Sequence, residues 1–199
     1  MLYFRYDNTN CFFVRNSSTQ KLMAIDAGWP GTLYEYARSL KTIGCSLENV
    51  AWVVLTHFHM DHAGLVSEFM ERGVTCFVLE GQIESIDAME KTIEKNDKTY
   101  RRIDKTKLRQ IRSTESKAMF EAIGIDCEAV PIDYHSPDSM IFLLPDGEVV
   151  IGDLPPEGQM MPDDKKFLEA WQKIRNLGGR KIFPSHANVF DLKDSADHA

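Results

Sequence analysis

The sequence predicts a layered, mixed α/β domain, and three observations lead there. Short apolar runs alternate with segments of helical period along the chain, and most of those segments stop at a glycine. Val50 to Leu55 is a continuous apolar run bounded by polar residues, the pattern of a strand buried on both faces.

Taken in order, Phe12 to Val14 and Leu22 to Ile25 read as paired strands joined by the polar turn Asn16-Ser17-Ser18-Thr19. Thr32 to Ile43 reads as a helix closed by Gly44. The buried strand Val50 to Leu55 follows, then a helix from Leu65 to Glu71 that ends at Gly73, then a strand from Val74 to Leu79. Ile83 to about Glu94 and Lys107 to Ile123 are helical in period, with Gly124 as the next stop. Val130 to Ile132, Met140 to Leu144 and Val149 to Ile151 read as strands, and Asp146-Gly147 is a hairpin turn between the last two. A helix from Lys165 to Asn176 stops at Gly178-Gly179, and the strand Lys181 to Phe183 completes the pattern.

A chain of 199 residues fits one domain, residues 1–199, with a helical, basic insertion at about 83–123. Hydrophobic residues make up 43% of it and mean hydropathy is -0.30, enough to build a core without disulfides. Cys11, Cys45, Cys76 and Cys127 are scattered with no paired spacing and read as buried free thiols. The first residues carry neither a basic nor a long apolar region, and no apolar run approaches bilayer length. These features predict a soluble, cytoplasmic chain with no membrane partner, and a homodimer is the default assembly.

The net charge of -7 argues against a protein that coats nucleic acid. It is unevenly spread. Lys91 to Lys117 holds ten Lys/Arg and four Asp/Glu, a local +6 against -13 for the remainder. That segment reads as a solvated helical face, with a cationic rim for an anionic substrate as the sharper alternative.

Three of the six histidines fall in the run His57-Phe58-His59-Met60-Asp61-His62, directly after the buried strand. Where the backbone is still extended, residues two apart project to one side, so His57 and His59 can chelate one metal. A turn into helix swings Asp61 and His62 toward a neighbouring position. Imidazole and carboxylate suit zinc, and also iron or manganese. Further donors follow later strands: His135 after Val130 to Asp133, Asp153 in Ile151-Gly152-Asp153, and His186 in Phe183-Pro184-Ser185-His186. The last histidine, His198, lies in a polar tail and is set apart from this group.

The order HxHxDH, His, Gly-Asp, late His resembles the metallo-β-lactamase superfamily along nearly the whole chain, and Asp26-Ala27-Gly28 is similar to that family's DxG motif. The resemblance implies a four-layer αββα sandwich with two divalent metal ions, zinc first and iron or manganese as alternatives. It places His57, His59 and His135 on the first metal, Asp61, His62 and His186 on the second, and Asp153 between them. Asp26 would fix the ligand loop without touching metal, and Ser139 would brace the loop that carries His135. Tyr134 and Asp138 stand where the family has glycines, as loop filler or as groups that shape the pocket or relay a proton.

The chemistry implied is hydrolysis by a hydroxide shared between two cations, with Asp61 orienting it or taking its proton. No serine or cysteine nucleophile sits in a recognisable elbow. A small ester, thioester or lactone is the first expectation for the substrate. A phosphodiester, nucleotide or RNA is the alternative that the basic segment favours. A mononuclear iron sulfur dioxygenase of the same fold is the other.

Overall fold

The computed structural model describes residues 1–159 and 163–192. Among the described residues, eleven strands form two sheets. The first takes β1 (Leu2–Tyr6), β2 (Thr9–Arg15), β3 (Leu22–Ile25), β4 (Val50–Val54), β5 (Thr75–Leu79) and β6 (Arg109–Ile111), paired in that order. The pairs β1–β2 and β2–β3 are antiparallel, and the three from β3 to β6 are parallel. The second sheet runs β11 (Phe190–Asp191), β10 (Lys181–Pro184), β9 (Glu148–Gly152), β8 (Met140–Leu143) and β7 (Glu128–Pro131).

Alternation along the strands separates three cores. Met23, Ile25 and Val54 of the first sheet pack against Phe142, Val150 and Phe183 of the second. Their neighbours Leu22, Ala24 and Val53 point the other way, against α1 (Leu33–Thr42), α3 (Val66–Glu71) and α4 (Ile83–Asn96). On the far side, Ile141, Val149 and Ile182 pack under Phe167, Trp171 and Ile174 of α6 (Lys165–Asn176). A period of two in each strand thus feeds both faces of both sheets, and helix–sheet–sheet–helix layering follows. The four cysteines are buried and free, as their spacing predicted. No helix among the described residues is long and apolar enough to cross a membrane.

Three strands escape the sequence reading. β1 and β11 are edge strands, and β6 falls inside the segment Lys107 to Ile123 that the sequence assigned to one helix. There the chain instead makes β6, a short 3-10 turn at Ser113–Glu115, and α5 (Ser116–Ala122). Pairing with β5 decides this, since Phe77, Val78 and Leu79 offer Arg109, Gln110 and Ile111 a parallel edge. Tertiary pairing outweighs a weak helical preference.

The layers matter because of where they end. Asp26 follows β3, the run from Thr56 to His62 follows β4, Asp153 follows β9, and His186 lies just past β10. Two backbone hydrogen bonds tie the sheets together at this end: Met140 N–H donates to the Thr56 carbonyl at 2.7 Å, and Asn10 N–H to that of Ser185 at 2.8 Å.

Candidate metal centre

Extended backbone persists past β4. His59, with φ -96° and ψ 159°, caps the short helix α2 (Met60–Ala63). His57 and His59 therefore project together, and His57 Nε2 lies 3.0 Å from His59 Nδ1. His135 Nε2 comes within 3.1 Å of His57 Nε2 and 3.0 Å of His59 Nδ1. Asp153 Oδ2 closes this group, 3.3 Å from His135 Nε2 and 3.7 Å from His57 Nε2.

One turn of α2 carries Asp61 and His62 into a second group. Asp61 Oδ2 is 3.3 Å from His62 Nε2 and 3.1 Å from His186 Nε2. The other oxygen of Asp153, Oδ1, lies 3.1 Å from His62 Nε2 and 3.2 Å from His186 Nε2. All seven donors expected from the sequence converge, and one carboxylate faces both groups. His198 lies outside the described residues.

The donors fit metal. Around one zinc at roughly 2.0–2.2 Å, tetrahedral ligand atoms sit about 3.3–3.5 Å apart, close to the spacing seen here. His62 Nε2 and Asp153 Oδ1 are buried with no hydrogen bond of acceptable geometry, a cost that a cation among them would remove. Charge is divided between the groups. Burial, then the neighbouring His62, pushes His57 down to about 2, and burial also lowers His135. The nearby carboxylates of Asp153 and Asp61 raise His186 to about 10. Burial opposes a charge on His62, but Asp26, Asp153 and Asp61 outweigh it and hold the imidazole well above its ordinary range. Burial likewise opposes ionisation of Asp61 and Asp153, yet the neighbouring His186 and His62 lower both carboxyls.

The supporting residues are partly those the sequence named. Asp26 Oδ2 meets His62 Nδ1 at 2.8 Å, and its Oδ1 accepts from Thr56 N–H at 2.8 Å. Thr56 went unnoticed, yet its hydroxyl contacts Asp26 at 2.9 Å and His57 Nδ1 at 3.0 Å, so one threonine braces both groups. Asn10 was missed as well; its amide donates to Pro184 and Ala187 carbonyls at 2.8 Å each and holds the turn that bears His186. His186 Nδ1 meets the Asn8 carbonyl at 2.9 Å, which sets the ring. Ser139 braces the His135 loop through Ser136, with the hydroxyls 2.8 Å apart.

The two departures from glycine have distinct roles. Asp138 is buried and accepts from Phe58 N–H at 2.7 Å, between His57 and His59. Tyr134 donates to Asp164, the N-cap of α6, at 3.1 Å. It anchors the His135 loop to the outer helix.

A model of the metallo-beta-lactamase superfamily matches residues 5–186. The chain belongs to the metallo-β-lactamase superfamily. Beta-lactamase-like protein 2 homolog of Caenorhabditis elegans is 22% identical over 198 aligned residues, covering 94% of this chain and 59% of that relative. The chain thus spans less than two thirds of that relative's length. Among solved structures, TTHA1623 in a di-iron-bound form shares 19% identity at a TM-score of 0.66, covering 94% of this chain and 92% of its own. TTHA1429 of Thermus thermophilus shares 17% at 0.65, covering 92% and 70%. ST1585 of Sulfolobus tokodaii shares 18% at 0.65, covering 92% and 76%. These likenesses show the fold. The superfamily match together with the His/Asp cluster supports metal binding at this site.

Beside this metallo-β-lactamase-type cluster lies a cavity of about 470 Å³, bounded by His59 and Asp61 on one side and by α4 on the other. No Lys or Arg of the segment 91–117 lines it. Five of the ten cations there face carboxylates instead: Arg101 with Glu71, Arg102 with Glu94, Lys105 with Asp87, Lys107 with Asp104 and Arg112 with Glu115. A solvated, internally paired surface is the reading this favours over a rim for anions.

Proposed function

We propose that this chain is a binuclear metal-dependent hydrolase acting on a small acyl compound, an ester, thioester or lactone. The observation that carries the reading is Asp153, whose two oxygens face two separate donor groups at 3.1–3.7 Å. His57, His59 and His135 would hold one cation, Asp61, His62 and His186 the other, and Asp153 both. Seven donors without a cysteine favour an open, catalytic arrangement over a closed structural one. Cations held there acidify water and polarise the oxygen of a bound electrophile.

The chain's own groups supply the rest. Asp61 belongs to the second donor group and also borders the cavity, so it stands where a proton from water must be received. Asp26, Thr56 and Asp138 keep the ligand loop in place before substrate arrives. Trp29, Phe58, Met60 and Met89 line the cavity and offer apolar surface to a substrate. The absence of Lys and Arg among the described lining residues favours a neutral acyl group over a phosphodiester. Zinc is the first expectation, and iron stays in view because TTHA1623 was solved in a di-iron-bound form.

The test is a panel of esters, thioesters, lactones and phosphodiesters on metal-analysed protein, beside His59→Ala and Asp61→Ala. Two cations per chain and turnover of an acyl substrate, both lost in the variants, are expected. Turnover confined to phosphodiesters would replace the acyl reading. One iron per chain with oxygen consumption would replace hydrolysis altogether.

A further inference from the structure

The α4 helix lies outside the ligand loops, yet it presents one face to the site. Ser85, Ala88, Met89 and Thr92, at positions i, i+3, i+4 and i+7, all line the 470 Å³ cavity. The opposite wall is Trp29, Phe58 and Met60, and His59 and Asp61 open the cavity onto the donor groups. Its volume falls within the roughly 300–1,000 Å³ that suits small-molecule ligands. Across Asp153 lies a second recess of about 200 Å³, with Pro155, Pro184, His135 and His186 in its walls. The reacting centre therefore stands between a larger apolar space and a smaller one.

We propose that the α4 cavity takes the acyl half of the substrate and that Ala88 sets how long that half can be; this rests on the acyl-hydrolase reading above. An alkyl chain gains most from leaving water for the larger apolar space. A departing alcohol or thiol gathers charge and is better placed in the smaller recess beside His135 and His186. Among the described residues lining the α4 cavity, the acidic side chains are Asp61 and Asp138 and there is no Lys or Arg, so an acyl chain ending in carboxylate or phosphate is rejected. Ala88 projects just a methyl group from an exposed helical position, so a larger side chain there fills the cavity without displacing core.

The experiment compares kcat/KM on 4-nitrophenyl esters from acetate to decanoate for wild type, Ala88→Phe and Lys91→Phe. Lys91 is on the same helix but outside the cavity. Ala88→Phe should lose about tenfold or more on octanoate and stay within about threefold on acetate, since one excluded methylene is worth about tenfold. Lys91→Phe should keep the wild-type profile. Metal content and melting temperature equal to wild type would show that Ala88→Phe is intact, and Ala88→Leu carries the same test with a smaller insertion. An unchanged or uniformly lowered acyl profile in a folded variant overturns the proposal. So does a shortened tolerance for the alcohol, measured on acetate esters of lengthening alcohols, with the acyl profile intact. Wild type inert on every acyl ester and thioester but active on bis(4-nitrophenyl) phosphate would instead remove the acyl-hydrolase reading on which the proposal stands.

Discussion

Asp26 Oδ2 and His62 Nδ1 are 2.8 Å apart, and neither side chain reaches solvent. The carboxylate fixes the ring so that Nε2, the other nitrogen, faces Asp61 and Asp153. Asp26→Ala leaves His62 free to turn and strips Thr56 of its acceptor. Losing such a support costs metal affinity about 10–100-fold. The loss should be larger at the second donor group, whose His62 Asp26 holds directly, than at the first, which it reaches only through Thr56, so metal titration should give one tight cation and one more strongly weakened one. Equal weakening of both would show that Asp26 acts through the whole loop.

The two donor groups should respond differently to pH. His186, raised to about 10, and His62 carry protons in the metal-free protein at neutral pH, whereas His57, lowered to about 2, does not. A cation entering the second group must displace protons, and one entering the first displaces none from His57. As pH falls from about 9 to 6, affinity at the second group should drop by up to about tenfold per unit for each displaced proton. Calorimetry in buffers of different ionisation enthalpy should detect that release for the cation that enters the second group. The stability of metal-free protein follows the same sign. A pKa raised above its unfolded value stabilises below about 6.5 and is lost as pH rises toward about 10. Metal-free protein should therefore melt lower at pH 9 than at pH 7 from this cause.

What the sequence disclosed follows from how each signal is written. The donors of HxHxDH lie within six residues, so spacing alone exposes them, and the later donors each sit just beyond an apolar strand. Thr56 and Asn10 leave no such trace. The Asn10 amide reaches a carbonyl 174 residues away, a relationship that exists only after the sheets pack. The inner strands β3, β4 and β5 were legible because both faces are buried and their residues are largely apolar. β6 has one buried residue, Ile111, preceded by exposed Arg109 and Gln110, and takes its strand form from β5. Asp138 was visible as an unusual residue near His135; its burial against the Phe58 amide was not.

Gly28 shows how tightly the Asp26 turn is fitted. It has φ +63°, and a Cβ built there would lie 1.6 Å from the Tyr6 hydroxyl oxygen. Its carbonyl accepts from Gly64 N–H at 2.8 Å, and the adjoining Ala27 N–H reaches the His62 carbonyl. Gly28→Ala combines the left-handed penalty of about 1–2 kcal/mol with a clash that must displace Tyr6. Denaturant melts should show destabilisation beyond that penalty. Tyr6→Phe removes the clashing oxygen, so the double variant should be less destabilised than the two single losses added. Strict additivity would locate the cost in the backbone and in the ring carbons of residue 6, which lie 2.7–3.0 Å from that Cβ and which Tyr6→Phe leaves in place.

Asp138 offers the most discriminating test of how the ligand loop is held. Its Oδ2 receives Phe58 N–H at 2.7 Å, and its backbone carbonyl receives the Gln82 side-chain amide at 3.2 Å. Gln82 also binds the Leu55 carbonyl at 3.0 Å and accepts from Leu79 N–H, which joins the His57 loop, the His135 loop and the start of α4. Asp138→Ala leaves a buried amide unpaired, at about 1–3 kcal/mol of stability. It should also loosen His57 and His59 together, because the freed amide lies between them. Asp138→Asn keeps an acceptor oxygen in the same place and should restore both stability and first-group metal affinity. If the alanine variant is destabilised but binds its cations with wild-type affinity, Asp138 supports the fold without positioning the ligands. If asparagine fails to restore binding, the negative charge matters and not the hydrogen bond alone.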